Sequence, residues 1–139
     1  MTIQPYVRKA QFYETDQMGV IHHANYIRWF EEARVDFLEQ IGFPYERVES
    51  MGVTFAVLGL SCKYKAPVLF GDTVHIHAGL NAYSHSRMTM GYSVTDAATG
   101  ELRTTGETHH FFFRKTDARP VSLKKAIPEL YDIFGSFKV

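Results

Sequence analysis

From Asn25 to Ile41 the apolar residues Tyr26, Ile27, Phe30, Ala33, Phe37, Leu38 and Ile41 recur every three or four positions, with Arg28, Glu31, Glu32, Asp36, Glu39 and Gln40 between them. A period near 3.6 puts the two sets on opposite sides of a helix. Asn25 is a favoured N-cap type. Gly42 suits the C′ position, and Pro44 ends the helix. The wide apolar stripe predicts a helix packed against a sheet. Another short turn of helix fits residues 44–50.

Downstream the period drops to two. Val74, Ile76, Ala78 and Leu80 alternate with Thr73, His75 and His77. Met88, Met90, Tyr92 and Val94 repeat the pattern, as do Leu58, Leu60, Cys62 and Tyr64. Breaks fall at Pro67–Asp72, Leu80–Ser86 and Asp96–Gly100, where Thr-Gly suits a hairpin. The last strand, about Leu102 to Arg114, contains Phe111-Phe112-Phe113 and is apolar on both faces. One helix covers one face, so the other is expected to meet a second subunit. Residues 3–12 read as a first strand and 13–23 as a loop. Pro128 opens a short terminal helix that docks Leu130, Tyr131 and Phe134. Strand, long helix and about four antiparallel strands make an α+β domain spanning 1–139.

Composition narrows the function classes. Fifteen basic and fifteen acidic residues cancel, so neither a polybasic nucleic-acid binder nor an acidic tail is expected. Zero net charge leaves self-association unopposed. No apolar stretch reaches the about 18 residues of a membrane span, and the start lacks a signal-peptide core. The single cysteine, Cys62, fits a reducing, cytoplasmic setting and reads as a small strand hydrophobe.

Nucleophile-elbow and phosphate-binding glycine motifs are missing from the chain. His75 and His77 share a strand face, while His22-His23 and His109-His110 are adjacent pairs that aim poorly at one ion; no metal is expected. Glu31 and Arg34 can pair across one helical turn. Asp16 stands apart. An Asp before a helix often makes an Asx turn. Here Gly19 follows and a helix begins near His23. The first amides of a helix are unpaired and carry the positive end of its dipole. A carbonyl held there is polarised beside a carboxylate able to attack it or to activate water.

The stretch Tyr13-Glu14-Thr15-Asp16-Gln17-Met18-Gly19-Val20-Ile21-His22-His23-Ala24-Asn25-Tyr26, continuing to Trp29-Phe30-Glu31-Glu32-Ala33-Arg34, resembles the signature of hotdog-fold acyl-CoA thioesterases of the 4-hydroxybenzoyl-CoA thioesterase branch. Tyr64-Lys65-Ala66-Pro67 leading to Gly71-Asp72-Thr73-Val74 resembles a second recurring segment of that family. The resemblance implies a long helix wrapped by a five- to six-stranded antiparallel sheet, with sheets joined in homodimers and often homotetramers. It implies hydrolysis of an acyl-CoA to a free acid and coenzyme A, with no cofactor besides the CoA of the substrate.

Carried over residue by residue, Asp16 falls on the catalytic acid, as nucleophile or general base. His23 falls where the helix-start N–H polarises the thioester oxygen, which moves the expected helix start ahead of Asn25. Gly19 and Glu31 fall at substrate-binding positions. In Tyr83-Ser84-His85-Ser86-Arg87, Arg87 is the cation available to the nucleotide phosphates. Two other readings exist for this fold: a hydroxyacyl thioester dehydratase, and a non-catalytic acyl-CoA or acyl-carrier binding module.

Overall fold

The computed structural model describes residues 2–137. Strand β1 (Tyr6–Lys9) leads through a 3-10 turn (Phe12–Glu14) and a loop into helix α1 (Ala24–Gln40) and helix α2 (Tyr45–Ser50). Strands β2 (Val53–Tyr64), β3 (Thr73–Tyr83), β4 (Arg87–Asp96) and β5 (Leu102–Arg114) follow, then short helices α3 (Leu123–Ala126) and α4 (Pro128–Gly135). The strands form one antiparallel sheet in the order β1-β3-β4-β5-β2, so β1 and β2 are its edges.

Helix α1 lies against one face of this sheet because its apolar stripe has nowhere else to go. Tyr26, Trp29, Phe30, Ala33, Phe37 and Leu38 are all buried. Burial of each large side chain is worth roughly 1.5–3 kcal/mol. Phe30 stacks on Tyr92 of β4 at 4.4 Å, with the rings 9° apart. Beneath Phe30, β5 carries Gly106. A Cβ at that position would stand 2.5 Å from the Phe30 ring and 2.7 Å from the Ser61 carbonyl oxygen. The seat of the Phe30 ring on β5 therefore depends on a residue without a side chain.

At the far end, Gly42 ends α1 with φ +85°, and Pro128 opens α4, whose Leu130 and Phe134 are fully buried. Tyr131 packs its ring against Tyr83.

Some expectations shift. The first strand is shorter than residues 3–12: the chain leaves the sheet at Ala10, and Gln11–Glu14 coil into the 3-10 turn. Strand β3 runs past Leu80 to Tyr83 across a register shift between Leu80 and Ala82. Strand β2 changes phase between Val57 and Gly59. Leu60, Cys62 and Tyr64 keep a common face, opposite Thr108, Gly106 and Thr104, whereas Leu58 falls in the bulge. Ile27 is only partly buried, and Trp29, outside the expected stripe, is fully buried. On the doubly apolar strand, Phe112 is fully buried, while Phe111 and Phe113 pack together at 5.5 Å and stay half-buried.

Candidate active site

The loop between the 3-10 turn and α1 is closed by its own backbone. The Asp16 amide donates to the Val20 carbonyl (2.9 Å), and the Gly19 amide donates to the Asp16 carbonyl (3.1 Å). Gly19 sits at φ +78°, a conformation most side chains resist. No atom crowds the position, so the turn's geometry rather than close packing demands the glycine. The Ile21 amide then donates to the Val68 carbonyl at 2.9 Å, fastening the loop to the segment after β2.

Asp16 makes the Asx turn considered for it. Its Oδ1 accepts from the Met18 amide at 2.8 Å, an Asx turn that fixes the carboxyl plane. Oδ2 receives no hydrogen bond from the described residues.

The helix mouth is arranged around the two histidines. The His22 amide donates to the Glu14 carbonyl (2.8 Å), and the Asn25 amide to the His22 carbonyl (2.9 Å). The Ala24 amide donates to His22 Nδ1 at 3.1 Å. That leaves the amide of His23, which has no acceptor among the described residues. His23 is the N-cap and already has helical backbone angles, φ −57° and ψ −29°. Its N–H therefore lies at the positive end of a 17-residue helix. Asn25 is not the cap. Its side-chain amide is buried and donates to the Glu14 carbonyl at 2.8 Å.

A crevice of about 290 Å³ collects these groups. Asp16, Val20 and Ile21 line it from the loop, His23 and Tyr26 from the helix start, and Tyr64 with residues 65–67 from the end of β2. The Tyr64 hydroxyl donates to the His23 carbonyl at 3.2 Å, and its ring meets Tyr26 edge-on at 5.3 Å. Desolvation and the neighbouring Cys62 push the Tyr64 hydroxyl up to about 12, and burial raises Tyr26, so both phenols stay protonated at neutral pH. Burial likewise raises the Cys62 thiol, which makes it a poor source of thiolate.

Behind the 65–67 wall stands Arg103. Its carbonyl accepts from the Lys65 and Ala66 amides at 2.9 and 3.0 Å. Its guanidinium reaches the Pro67 carbonyl (2.7 Å), Asp96 (2.9 Å) and Asp72 (3.3 Å). The Thr99 and Ala98 amides hold the Asp96 carboxyl below its usual range.

The expected site residues separate into two groups. Asp16 and His23 line the same crevice, with Gly19 in the turn that shapes it. Glu31 and Arg87 do not. Glu31 is exposed on α1 in another groove, beside Tyr6, Glu32 and Val35, and Arg87 is exposed at the start of β4. Among the described residues, no three His, Cys, Asp or Glu side chains gather as a metal site, and no helix is long and apolar enough to cross a membrane.

A protein-family model described as the thioesterase-like superfamily matches residues 10–130. This chain belongs to the thioesterase-like superfamily. It is an enzyme of the thioester hydrolase class, built on the hotdog fold that residues 13–34 and 64–74 resemble. It is 31% identical over 130 residues to the Bacillus subtilis (strain 168) protein named "Putative acyl-CoA thioesterase YneP", covering 94% of each chain. A crystal structure of DHNA-CoA thioesterase from Staphylococcus aureus superposes with a TM-score of 0.91 at 31% identity, over 96% of this chain and 89% of that one. A Thermus thermophilus protein of known structure, titled hypothetical protein TT1821, gives 0.84 at 37% identity, with 97% of each covered.

Proposed function

We propose that this superfamily member hydrolyses an acyl-CoA thioester at the Asp16–His23 crevice. The observation that carries the reading is that Asp16 and His23 line one cleft while Asp16 Oδ2 and the His23 N–H have no hydrogen-bond partner among the described residues. The thioester oxygen accepts from the His23 amide, and the helix dipole strengthens that bond as negative charge develops. Removing a donor of this kind costs about 2.7–4 kcal/mol of transition-state stabilisation. Asp16 attacks the carbonyl carbon to give a mixed anhydride and release the CoA thiolate, and water then cleaves the anhydride. In the alternative route Asp16 takes a proton from water as that water attacks. Both end in a free acid and CoA, with no further cofactor.

The working unit is a homodimer, or a tetramer of two dimers, joined through β2. Among the described residues this edge strand has no neighbour on its outer side, and it exposes Val57, Leu58 and Leu60. An apolar open edge invites pairing. Antiparallel pairing of two β2 edges sets the start of one strand beside the end of the other. The crevice lies where β2 ends, at Tyr64, whereas Arg87 pairs with Phe111 of β5, near where β2 begins. A second copy thus carries its Arg87 toward the first copy's crevice, to serve the CoA phosphates. The Phe111–Phe113 face is left for dimer–dimer contact. The single domain acts in the cytoplasm.

The test is thiol release across acyl-CoAs of different chain length and ring content, with products identified by mass. A free acid with stoichiometric CoA supports the proposal. An enoyl thioester, or binding without thiol release, refutes it.

A further inference from the structure

The most enclosed carboxylate near the crevice is not Asp16 but Glu14, only 3% exposed. A buried carboxylate is costly unless donors surround it. Glu14 Oε1 accepts from the Gln11 amide at 2.8 Å. Its Oε2 accepts from the Trp29 indole N–H at 2.9 Å and from Arg8 at 3.0 Å. Arg8 is itself held by Glu32 at 2.9 Å. The Glu14 carbonyl receives the His22 amide and the Asn25 side chain, each at 2.8 Å. One residue thus joins β1, the 3-10 turn and two positions of α1.

We propose that Glu14 is the positioning residue that sets the distance between the Asp16 carboxylate and the His23 N–H. It stands two residues before Asp16 in the chain, and its carbonyl grips the amide next to that of His23. Its carboxylate anchors the same peptide to the indole of Trp29, inside α1. Both reacting groups are therefore referenced to one anchor, and the helix cannot shift relative to the loop without breaking a charge-assisted hydrogen bond. Misplacement of about 1 Å costs on the order of 10²-fold in rate. Glu14 touches no substrate in this scheme; it acts through Asp16 and His23, and so rests on the proposed reaction.

The test uses the full chain with Glu14→Ala, Glu14→Gln and Trp29→Phe. Trp29 is the only tryptophan, and phenylalanine keeps an apolar ring while losing the donor. Glu14→Gln is nearly isosteric but turns an NH2 toward the Gln11 amide or toward the Trp29 and Arg8 donors. The expected result is kcat lower by about 10²-fold in Glu14→Ala and about 10-fold in Glu14→Gln and Trp29→Phe, with KM changed less than about threefold. Because both act through one bond, adding Trp29→Phe to Glu14→Gln should cost less than the product of the two single losses. Amide hydrogen exchange should quicken about tenfold at residues 15–23 in the Glu14 variants and stay unchanged in β3 and β4. The exchange readout needs no turnover. Unchanged exchange at 15–23 in the folded Glu14→Gln protein overturns the positioning role, as does an unchanged kcat in an active enzyme. A wild-type protein without thioesterase activity would instead refute the reaction and leave exchange to decide the anchor.

Discussion

At the residue scale, Asp16 stood out in the sequence as a candidate through Gly19, the nearby helix start and the resemblance of residues 13–34. The structure brings it and His23 to one crevice. The structure adds how the two Asp16 oxygens divide, one tied to the Met18 amide and one without a partner among the described residues. Glu14 was not legible: a glutamate in a polar turn gives no sign of burial, which arises only when Trp29, Arg8 and Gln11 converge on it. His110 was equally hidden. Sequence alternation leaves a histidine's exposure open, yet His110 is fully buried, with Nε2 2.8 Å from the Thr108 hydroxyl. Burial, with Arg34 and His109 adding to it, pushes the ring from 6.5 down to about 4. The unfolded chain therefore binds a proton between these values that the folded chain refuses. The contribution of His110 to stability is full above pH 6.5 and is lost as pH drops from about 6.5 toward 4. In thermal melts across that window, His110→Gln should show a shallower loss of Tm than the wild type. Parallel curves would place the acid sensitivity elsewhere.

Among the elements, α1 could be read from its stripe, including its end at Gly42, because helix periodicity and terminators are local. Its packing partner could not. Nothing near Gly106 in sequence says that Phe30 will rest on it; the contact exists only after β5 and α1 meet. Gly106→Ala should destabilise by about 1–3 kcal/mol, the usual range for overpacking, measured by urea unfolding. A loss below about 0.5 kcal/mol would mean that helix and sheet can move apart freely. The wall at residues 65–67 depends on another non-local contact, the Arg103 guanidinium against Asp96, Asp72 and the Pro67 carbonyl. Arg103→Met should raise KM more than it lowers kcat, because it loosens a binding wall and leaves Asp16 and His23 in place. Steady-state kinetics on the folded variant checks this, and an unchanged KM would contradict it.

For the whole molecule, the order of elements and the antiparallel sheet followed from the switch between helical and alternating periods. The strand order β1-β3-β4-β5-β2 did not, since periodicity carries no information about which strand pairs with which. The consequence is an apolar open edge at β2, next to the crevice. Leu58→Lys should leave the monomer folded, shift the mass in light scattering from dimer or tetramer to monomer, and lower kcat/KM in step. A monomeric wild type with full activity would remove the second copy from the site.

The central claim is that the Asp16 carboxylate performs the chemistry on a carbonyl held by the His23 N–H. Its most direct test is single-turnover hydrolysis of the best acyl-CoA by folded Asp16→Asn, which keeps size and the Oδ1 turn but loses the charge. The expected rate is about 10²–10⁴-fold below wild type with substrate binding little changed; a rate within about threefold of wild type would contradict it.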